Sequence, residues 1–564
     1  MTTRITKHFV TVGNRRVHYT RAGSGPAVCL FHPSPCSAKR MRPQQVVFAS
    51  RFTALAFDTP GFGLSDKLPL AKPELTDFAD AFAETLTALG IERTAVYGNH
   101  TGAAIAVEFA ARHPDRCAMA LADGYPAYSS ASAEDRLRRY LEPIVPKWDG
   151  SHLLWLWYRY REQHVFWPWH DHDLAHRADT DVPDAEFLHQ GVIDLLDAGD
   201  DYRIGYAAAF RGRGLKVLPD LKVPVCFTLR PGDSLYKTKP MYEGTGAWVV
   251  ETPRDPLAAT VREMELLSQH PGDVPPEAPA CKPIEGRTTT DYRSMEFGGG
   301  SLFIRSRGGL STTRPVLLIH DLPGSTALVD PMLGTLGRGR SLLAVDLPGQ
   351  GQSDATHLPP GLVEIGTWVG ALRHLLREME IAEVDVVAMG GGGAVAVELA
   401  TSMNEAVRSL TLVAPPCLDE AARTDLAPRY APSAAPEMDG THLLRVWHQL
   451  RDQELWWPWF DRRRQNSRNA PPRLDPLGLT IRLREAVKNP AAYASAWEAV
   501  LRYPLPERLA AMPRVPTLLT ASKSDLFAHC LPRAAALMPH AKVVEVEDSD
   551  AARVAAIEAF LAGR

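Results

Sequence analysis

The sequence has no surplus of charge of either sign, no long apolar segment and no paired set of cysteines. Its 564 residues include 62 basic and 66 acidic side chains, which gives a formal net charge of -4. Without a basic excess to neutralise phosphates, we expect no nucleic-acid partner. Residues 1–7 have no apolar core and no run approaches the ~20 apolar residues that span a bilayer, so we expect no membrane association. Seven cysteines, an odd number without paired spacing, indicate free thiols in a cytoplasmic protein.

What the sequence does contain is a second copy of itself. Three pairs of motifs recur in the same order and at a nearly constant distance: H-P-S-P at 32–35 and H-D-L-P at 320–323, D-T-P-G-F-G at 58–63 and D-L-P-G-Q-G at 346–351, and W-P-W at 167–169 and 457–459. A constant distance across unrelated motifs indicates the duplication of a whole domain. We therefore predict one domain at 1–270 and another at 293–564, joined by a proline-rich linker at 271–292.

Within each half, short apolar runs alternate with amphipathic segments. This alternation predicts an α/β fold, with a mostly parallel sheet flanked by helices. The predicted strands are 28–31, 54–57, 94–97, 118–122 and 225–229 in the first half, and 316–319, 342–345, 384–388, 410–413 and 517–520 in the second. Long inserts rich in tryptophan and arginine follow the fourth strand of each half, at about 127–215 and 417–505. They predict a helical cap over the edge of each sheet.

The order of these features resembles the α/β-hydrolase superfamily. Both halves show a strand, an H-x-x-P loop, a second strand and the motif D-x-P-G-x-G-x-S-D, at 58–66 and 346–354. A sharp turn from strand to helix and an inserted cap follow. The resemblance implies two tandem α/β-hydrolase-fold domains that cover nearly the whole chain. Members of this superfamily carry a nucleophile at the turn, an acid after a late strand and a histidine near the end of the domain.

At the turn of the first copy, G-N-H-T-G at 98–102, histidine takes the place of the usual nucleophile. The resemblance therefore makes His100 the central catalytic candidate. Because the positive end of a helix disfavours imidazolium, we expect a neutral ring that acts as a general base or as a nucleophile. Its acidic partner is Asp233 or Asp123. The histidine expected after the last strand is absent, since 251–255 are E-T-P-R-D.

The same resemblance places an oxyanion hole in the first copy and no catalytic set in the second. The backbone N–H groups of Ser34 and Thr101 are the expected oxyanion donors. In the second copy the turn is M-G-G-G-G at 389–393, so Gly390 stands at the nucleophile position without a functional group. Asp525 fits the late acid, but no histidine follows it. We predict that the second copy is inactive, and that glycine relieves strain at a turn whose side chain is no longer needed.

The loop after the first strand and the cap supply the candidates for a substrate pocket: His32, Cys36, His152, Trp155, Trp167 and Trp169. The aromatic rings suit an apolar or aromatic ligand, although their helical spacing also fits packing between cap and sheet. Cys36 is either a thiolate near His100 or an inert buried thiol. We expect no metal and no cofactor, because H-D-H-D at 170–173 is typical of a solvated turn.

Two hypotheses of function follow. In the first, the first copy is an enzyme that acts on a small carbonyl or ester-type compound by hydrolysis or carbon–carbon cleavage, and the second copy is a supporting domain. In the second, both copies have lost their chemistry and the caps retain a pocket for a small ligand. The oligomeric state stays open.

Overall fold

The computed structural model describes residues 3–128, 133–295, 300–310, 314–336 and 339–563. The chain divides into two compact units. The first comprises Met1–Val145 and Trp155–Lys282, and the second comprises Pro146–Leu154 and Pro283–Arg564. The division after Lys282 falls inside the segment predicted as a linker.

The chain of the first unit forms an eight-stranded sheet. Its strands are β1 (Ile5–Val12), β2 (Arg15–Ala22), β3 (Ala27–Phe31), β4 (Thr53–Phe57), β5 (Thr94–Asn99), β6 (Cys117–Asp123), β7 (Val225–Leu229) and β8 (Trp248–Glu251). They lie in the order β1-β2-β4-β3-β5-β6-β7-β8. Only the pairs β1/β2 and β2/β4 are antiparallel.

Helices lie between these strands along the chain, and one more follows the last strand: α1 (Arg42–Phe48), α2 (Leu75–Leu89), α3 (Thr101–Arg112), α4 (Ala133–Tyr140), α5 (Ser151–Glu162), α6 (Ala185–Ala198), α7 (Tyr202–Phe210) and, after β8, α8 (Pro256–Leu267). The inner strand β3 is buried at every position, which explains its unbroken apolar sequence, because helices cover both faces of a parallel sheet. Helix α2 begins with a capping box between Glu74 and Asp77 and ends at Gly90, whose φ is 69°.

The second unit repeats this sheet. Its strands are β9 (Thr289–Ser294), β10 (Ser301–Arg307), β11 (Val316–Ile319), β12 (Leu342–Val345), β13 (Val384–Met389), β14 (Val407–Val413), β15 (Thr517–Ala521) and β16 (Lys542–Glu545). Their order, β9-β10-β12-β11-β13-β14-β15-β16, matches that of the first sheet strand for strand. The prediction of two tandem α/β-hydrolase folds is therefore confirmed.

The helices that follow in the second unit are α9 (Asp330–Leu336), α10 (Ile365–Glu378), α11 (Gly392–Ser402), α12 (Glu420–Leu426), α13 (Thr441–Asp452), α14 (Pro476–Val487), α15 (Pro490–Arg502), α16 (Leu505–Ala511), α17 (Leu531–Leu537) and α18 (Asp550–Ala562). We call the chain between β6 and β7 the first insert and the chain between β14 and β15 the second insert. None of the helices in the described residues combines the length and hydropathy needed to cross a bilayer.

Candidate active site

The turn between β5 and α3 is shaped by two glycines. A Cβ atom on Gly98 would collide with the carbonyl group of Gly102, and one on Gly102 would collide with the carbonyl group of Phe31. Strand and helix therefore approach so closely that only glycine fits at both positions. Between them the backbone of His100 is forced to φ 50° and ψ −107°, a strained conformation for a residue with a side chain. Strain held in this way is typical of a functional site.

The imidazole of His100 contacts a carboxylate directly. Its Nε2 lies 2.9 Å from Oδ2 and 3.1 Å from Oδ1 of Asp233, in the loop after β7. The backbone N–H of Leu235 donates to Oδ1 at 2.8 Å and holds the carboxylate in place. The side chain of Asp233 is 10% exposed and that of His100 is 32% exposed, so solvent reaches the ring but hardly reaches the acid. The residue at the nucleophile position thus contacts the acid after the late strand directly, without a separate histidine between them.

This contact sets the charge of both partners. Burial lowers the pKa of His100, but the charge and hydrogen bond of Asp233 outweigh burial, and the pKa lies above its ordinary value of 6.5. Burial likewise raises the pKa of Asp233, but the imidazolium and the N–H of Leu235 bring it down to about 2. The pKa of His100 therefore shifts upward, opposite to the shift expected from the helix N-terminus alone, because a carboxylate in contact outweighs about half a unit charge.

The contacts of the ring leave one nitrogen, Nδ1, away from Asp233. A Cβ atom on Gly124 would lie 2.6 Å from Cδ2 and 2.9 Å from Nε2 of His100, so this edge of the ring packs against the backbone of Gly124. In the five-membered ring Nδ1 stands opposite the Cδ2–Nε2 bond. With Nε2 bound to Asp233, Nδ1 is the nitrogen available to a ligand.

Asp123, the alternative acid, lies beneath the turn and does not bond to the ring. Its Oδ2 accepts hydrogen bonds from the hydroxyl of Tyr97 at 2.9 Å and from the side-chain amide of Asn99 at 2.7 Å. Its backbone carbonyl accepts the N–H of His100 at 2.9 Å. Burial and the nearby charge of Asp233 raise the pKa of Asp123. Asp123 therefore stabilises the turn through these hydrogen bonds. Of the two candidate acids, only Asp233 contacts the imidazole.

Two further titratable residues, which no sequence motif indicates, interact with the acids of this site. Glu263 in α8 is 3% exposed, and its Oε1 accepts from the hydroxyl of Thr228 at 3.1 Å. Burial and the charge of Asp123 raise the pKa of Glu263 well above its usual range. Arg230, after β7, acts electrostatically on Asp123, Asp233 and Glu263 and lowers the pKa of each. One arginine thus partly offsets the mutual repulsion of these buried acids.

His164, in the first insert, lies close enough to His100 and Asp233 for their charges to affect its pKa. The charges of His100 and Asp233 both act on His164, whose pKa falls to about 3, chiefly because the ring is buried. Among the described residues, its Nε2 has no hydrogen-bond partner, and its ring packs edge-on against Tyr160 and Phe187. His164 is therefore neutral at physiological pH. Its counterpart in the second copy is Glu454, so this histidine is specific to the first copy.

In the first unit, the expected oxyanion donors have no partner. No hydrogen bond from the N–H of Ser34 or Thr101 is found among the described residues of this unit. In the second unit the equivalent N–H groups belong to Leu322 and Gly391. Both donate to one oxygen atom, Oδ1 of Asp321, at 2.8 and 2.7 Å. The two donors therefore converge on a single point, and a carboxylate oxygen stands there.

The same aspartate explains why the second turn carries glycine. Gly390 has φ 47°, close to that of His100, but a Cβ atom there would collide with the carboxylate of Asp321. In the first unit Pro33 stands at the position of Asp321 and leaves the space open. Relief of backbone strain is thus only part of the reason for glycine, since Asp321 occupies the volume that a nucleophile would need.

The late acid of the second unit is also engaged. Asp525 accepts two hydrogen bonds from Arg553, at 2.9 and 3.2 Å, and Arg553 is itself buried. Arginine does not release its proton at physiological pH, so this pair offers no base. The prediction that the second copy lacks a catalytic set agrees with this geometry.

Two of the predicted pocket residues serve the core of the first unit. His32 is 1% exposed and hydrogen bonds to backbone on both sides: Nδ1 donates to the carbonyl of Pro33 and Nε2 accepts from the N–H of Thr59, each at 3.0 Å. It holds the loop and is not available to a substrate. Cys36 is buried, and burial raises its thiol pKa to about 11, so the thiolate alternative is wrong.

The predicted pocket residues of the first insert are dispersed. His152 belongs to the second unit, where its Nε2 lies 2.9 Å from the hydroxyl of Thr480, and its assignment to the pocket of His100 is wrong. Trp155 is half-buried in α5. The ring of Trp167 packs edge-on against Tyr140, and Nε1 of Trp169 donates to the Tyr140 carbonyl at 3.0 Å. These two tryptophans therefore have a packing role within the insert.

Comparison with known proteins agrees with the topology of both units. Residues 26–177 match the alpha/beta hydrolase fold, and residues 316–558 match the Alpha/beta hydrolase family. The chain belongs to the α/β-hydrolase superfamily.

Relatives named as hydrolases are similar to this chain over short stretches. The 2-(acetamidomethylene)succinate hydrolase of Mesorhizobium japonicum is 31% identical over 134 residues, which cover 23% of this chain and 48% of that protein. The soluble epoxide hydrolase of Corynebacterium sp. is 34% identical over 110 residues, covering 20% and 38%. The chain thus spans less than half the length of these two relatives. Among solved structures, the enol-lactonase of Burkholderia xenovorans is 18% identical with a TM-score of 0.38, covering 48% of this chain and 99% of that one.

The collision at the second turn predicts a coupling between Gly390 and Asp321. Gly390→Ala should lower the free energy of unfolding by about 1–3 kcal/mol, because the new methyl group displaces the carboxylate. In the double variant Gly390→Ala/Asp321→Ala the loss should be smaller than the sum of the two single losses, since the obstacle is gone. Chemical denaturation of the full chain measures all three. Gly286→Ala, where φ is 72° and a Cβ would meet no atom within 4 Å, is the matched control for the backbone strain. Additive losses would contradict the steric account.

Proposed function

We propose that the first unit is a hydrolase-like enzyme acting on a small carbonyl or ester-type compound, with His100 and Asp233 as its catalytic pair. The observation that supports this most is the 2.9 Å contact between Nε2 of His100 and Oδ2 of Asp233 at the nucleophile position of a hydrolase fold. Relatives named as hydrolases of a substituted succinate and of epoxides support small oxygen-containing substrates. They match only part of their length, so the substrate class is our inference.

In this proposal His100 acts as a general base. Asp233 accepts a hydrogen bond from the N–H at Nε2 and thereby fixes the tautomer in which Nδ1 carries the lone pair. Nδ1 removes a proton from water as the oxygen of that water attacks the substrate carbonyl carbon. The imidazolium formed is stabilised by the Asp233 carboxylate. When the tetrahedral intermediate collapses, Nδ1 returns the proton to the leaving group, so His100 ends the cycle as it began.

The N–H groups of Ser34 and Thr101 bind the developing oxyanion in this mechanism. Support comes from the second unit, where the equivalent donors of Leu322 and Gly391 hold one carboxylate oxygen at 2.8 and 2.7 Å. A carboxylate oxygen in that position is a mimic of a substrate oxyanion. Donors at about 2.7–3.1 Å from such an oxygen are what stabilisation of a tetrahedral intermediate requires.

Removal of the imidazole tests this assignment. We expect His100→Ala to lower kcat/KM by about 10³-fold or more on a panel of esters, lactones and β-dicarbonyl compounds, because the general base is lost. Steady-state kinetics of the full chain measures the change. His172→Ala, which alters an exposed histidine of the first insert, is the matched control and should leave kcat/KM unchanged. Turnover that survives His100→Ala, or a wild-type protein that binds these compounds without turning them over, would contradict the proposal.

The pH dependence gives a second test. The base must be unprotonated, so kcat/KM should rise with pH and level off above the pKa of His100, which lies above 6.5. Asp233→Asn removes the charge that raises this pKa, so the inflection should move to lower pH. The plateau should also fall by about 10²- to 10⁴-fold, because an amide does not hold the required tautomer. An inflection that stays in place in Asp233→Asn would contradict the pairing.

A further inference from the structure

The second unit contains a cavity at the place where a hydrolase would bind its substrate. It has a volume of about 500 Å³, and the turn at Gly390 and the carboxylate of Asp321 form part of its lining. Leu322, Met389 and Trp497 contribute apolar wall. Pockets for small ligands occupy about 300–1,000 Å³ and combine apolar walls with a few polar groups. The cavity has this size and this composition although the unit has no nucleophile.

The arginines that line the cavity already have acidic partners. Arg482 and Arg473 lie 2.6 and 3.4 Å from the carboxylate of Glu454. Arg553 lies 2.9 Å from Asp525, which Arg473 also approaches to 3.7 Å. Glu454 is 2% exposed in its side chain, so these are largely desolvated pairs. An anionic ligand would have to compete with these carboxylates for each arginine, and each displacement would leave a buried charge without its partner.

Asp321 is an acid of the cavity with no cation at ion-pair distance in the described part of the second unit. Its two hydrogen bonds, from the N–H groups of Leu322 and Gly391, both end on Oδ1. Within that same described part, Oδ2 receives no hydrogen bond. Burial raises the pKa of Asp321 to about 6, while the two N–H groups and the more distant charge of Arg473 oppose that rise. Oδ2 of Asp321 is therefore an acceptor in the cavity without a donor among these residues.

The same bonds exclude a carbonyl ligand from this point. Both N–H groups that would hold a substrate oxygen are taken by Oδ1, and a side chain at Gly390 has no room. A ligand that complements the cavity must instead supply a positive charge, or hydrogen-bond donors, to Oδ2 and an apolar body to the walls.

We propose that this cavity is a binding site for a small protonated amine with an apolar body, whose ammonium group pairs with Oδ2 of Asp321. The inference concerns the second unit alone and stands whether or not the first unit is an enzyme. An ammonium group donates up to three hydrogen bonds. It also carries the positive charge that an ion pair with the carboxylate of Asp321 requires. The second copy would then have exchanged the chemistry of its fold for recognition of a cation.

Three probes of similar shape and different charge test the proposal: 2-phenylethylamine, 2-phenylethanol and 3-phenylpropanoate. Isothermal titration of the full chain at pH 7.5 should give a Kd near or below about 1 mM for the amine, a scale reached by one ion pair and a small apolar body. The alcohol and the carboxylate should bind at least about tenfold more weakly, because they lack the charge. Tighter binding of the carboxylate, or no preference among the probes, would overturn the proposal.

Variants place the binding at Asp321. Asp321→Asn keeps an oxygen for the two N–H donors but loses the charge, and should weaken amine binding by about tenfold or more. Asp475→Asn, at the rim of the same cavity where the carboxylate caps α14, is the matched control and should bind as the wild type does. His100→Ala should also leave amine binding unchanged. Retained binding in Asp321→Asn, or its loss in His100→Ala, would contradict the site. The comparison of probes on the wild type decides the question should Asp321→Asn fail to fold.

Discussion

The close approach of strand to helix at the two turns is the constraint on which the rest of the structure depends. In the first unit no side-chain atom fits at Gly98 or Gly102, so the residue between them takes a positive φ and is aimed out of the sheet. In the second unit Gly390 has nearly the same φ, 47°. The fold thus places one residue, His100 or Gly390, at the same position of the turn in each copy. The chemistry of each copy depends on which other groups contact that position.

In the first unit the carboxylate of Asp233, in the loop after β7, contacts the residue at the turn. In the second unit the carboxylate of Asp321, in the loop after β11, lies against the turn. Asp233 meets an imidazole, and the contact raises the basicity of the ring. Asp321 accepts hydrogen bonds from two N–H groups, whose counterparts in the first unit are the proposed oxyanion donors. The two copies therefore differ in a linked way: Asp321 stands where the first copy has Pro33, and Gly390 stands where it has His100. A nucleophile and this carboxylate exclude each other, because they require the same space.

Much of the fold could be predicted because it rests on local patterns. The inner strands are unbroken apolar runs, and the repeated motifs place the two sheets in the same order. The outer strands β1, β2 and β8 and their counterparts β9, β10 and β16 were not predicted, because polar residues interrupt or flank their short apolar runs. At the site, the position of Asp233 after a late strand was enough to propose it. The burial of Glu263 was not foreseeable, because it depends on how α8 packs against the sheet.

The charge of His100 shows where local reasoning fails. A helix N-terminus alone predicts a neutral ring, and that inference omits the Asp233 carboxylate, which lies 133 residues further along the chain. The occupied oxyanion position of the second unit is a similar case. The sequence shows Asp321 in the H-D-L-P motif, but only the conformation of the loop brings its carboxylate to the turn. Both features arise from long-range contacts between groups of opposite or complementary polarity.

The most direct test of the account is the protonation state of His100, measured by nitrogen NMR of the imidazole ring across pH in the full chain, with His100→Ala to assign the signals. The account predicts a pKa above 6.5 and, once the ring is neutral, a proton on Nε2 with Nδ1 free. A pKa below 6.5, or a neutral ring protonated on Nδ1, would contradict it, because the bond to Asp233 would then not fix the base.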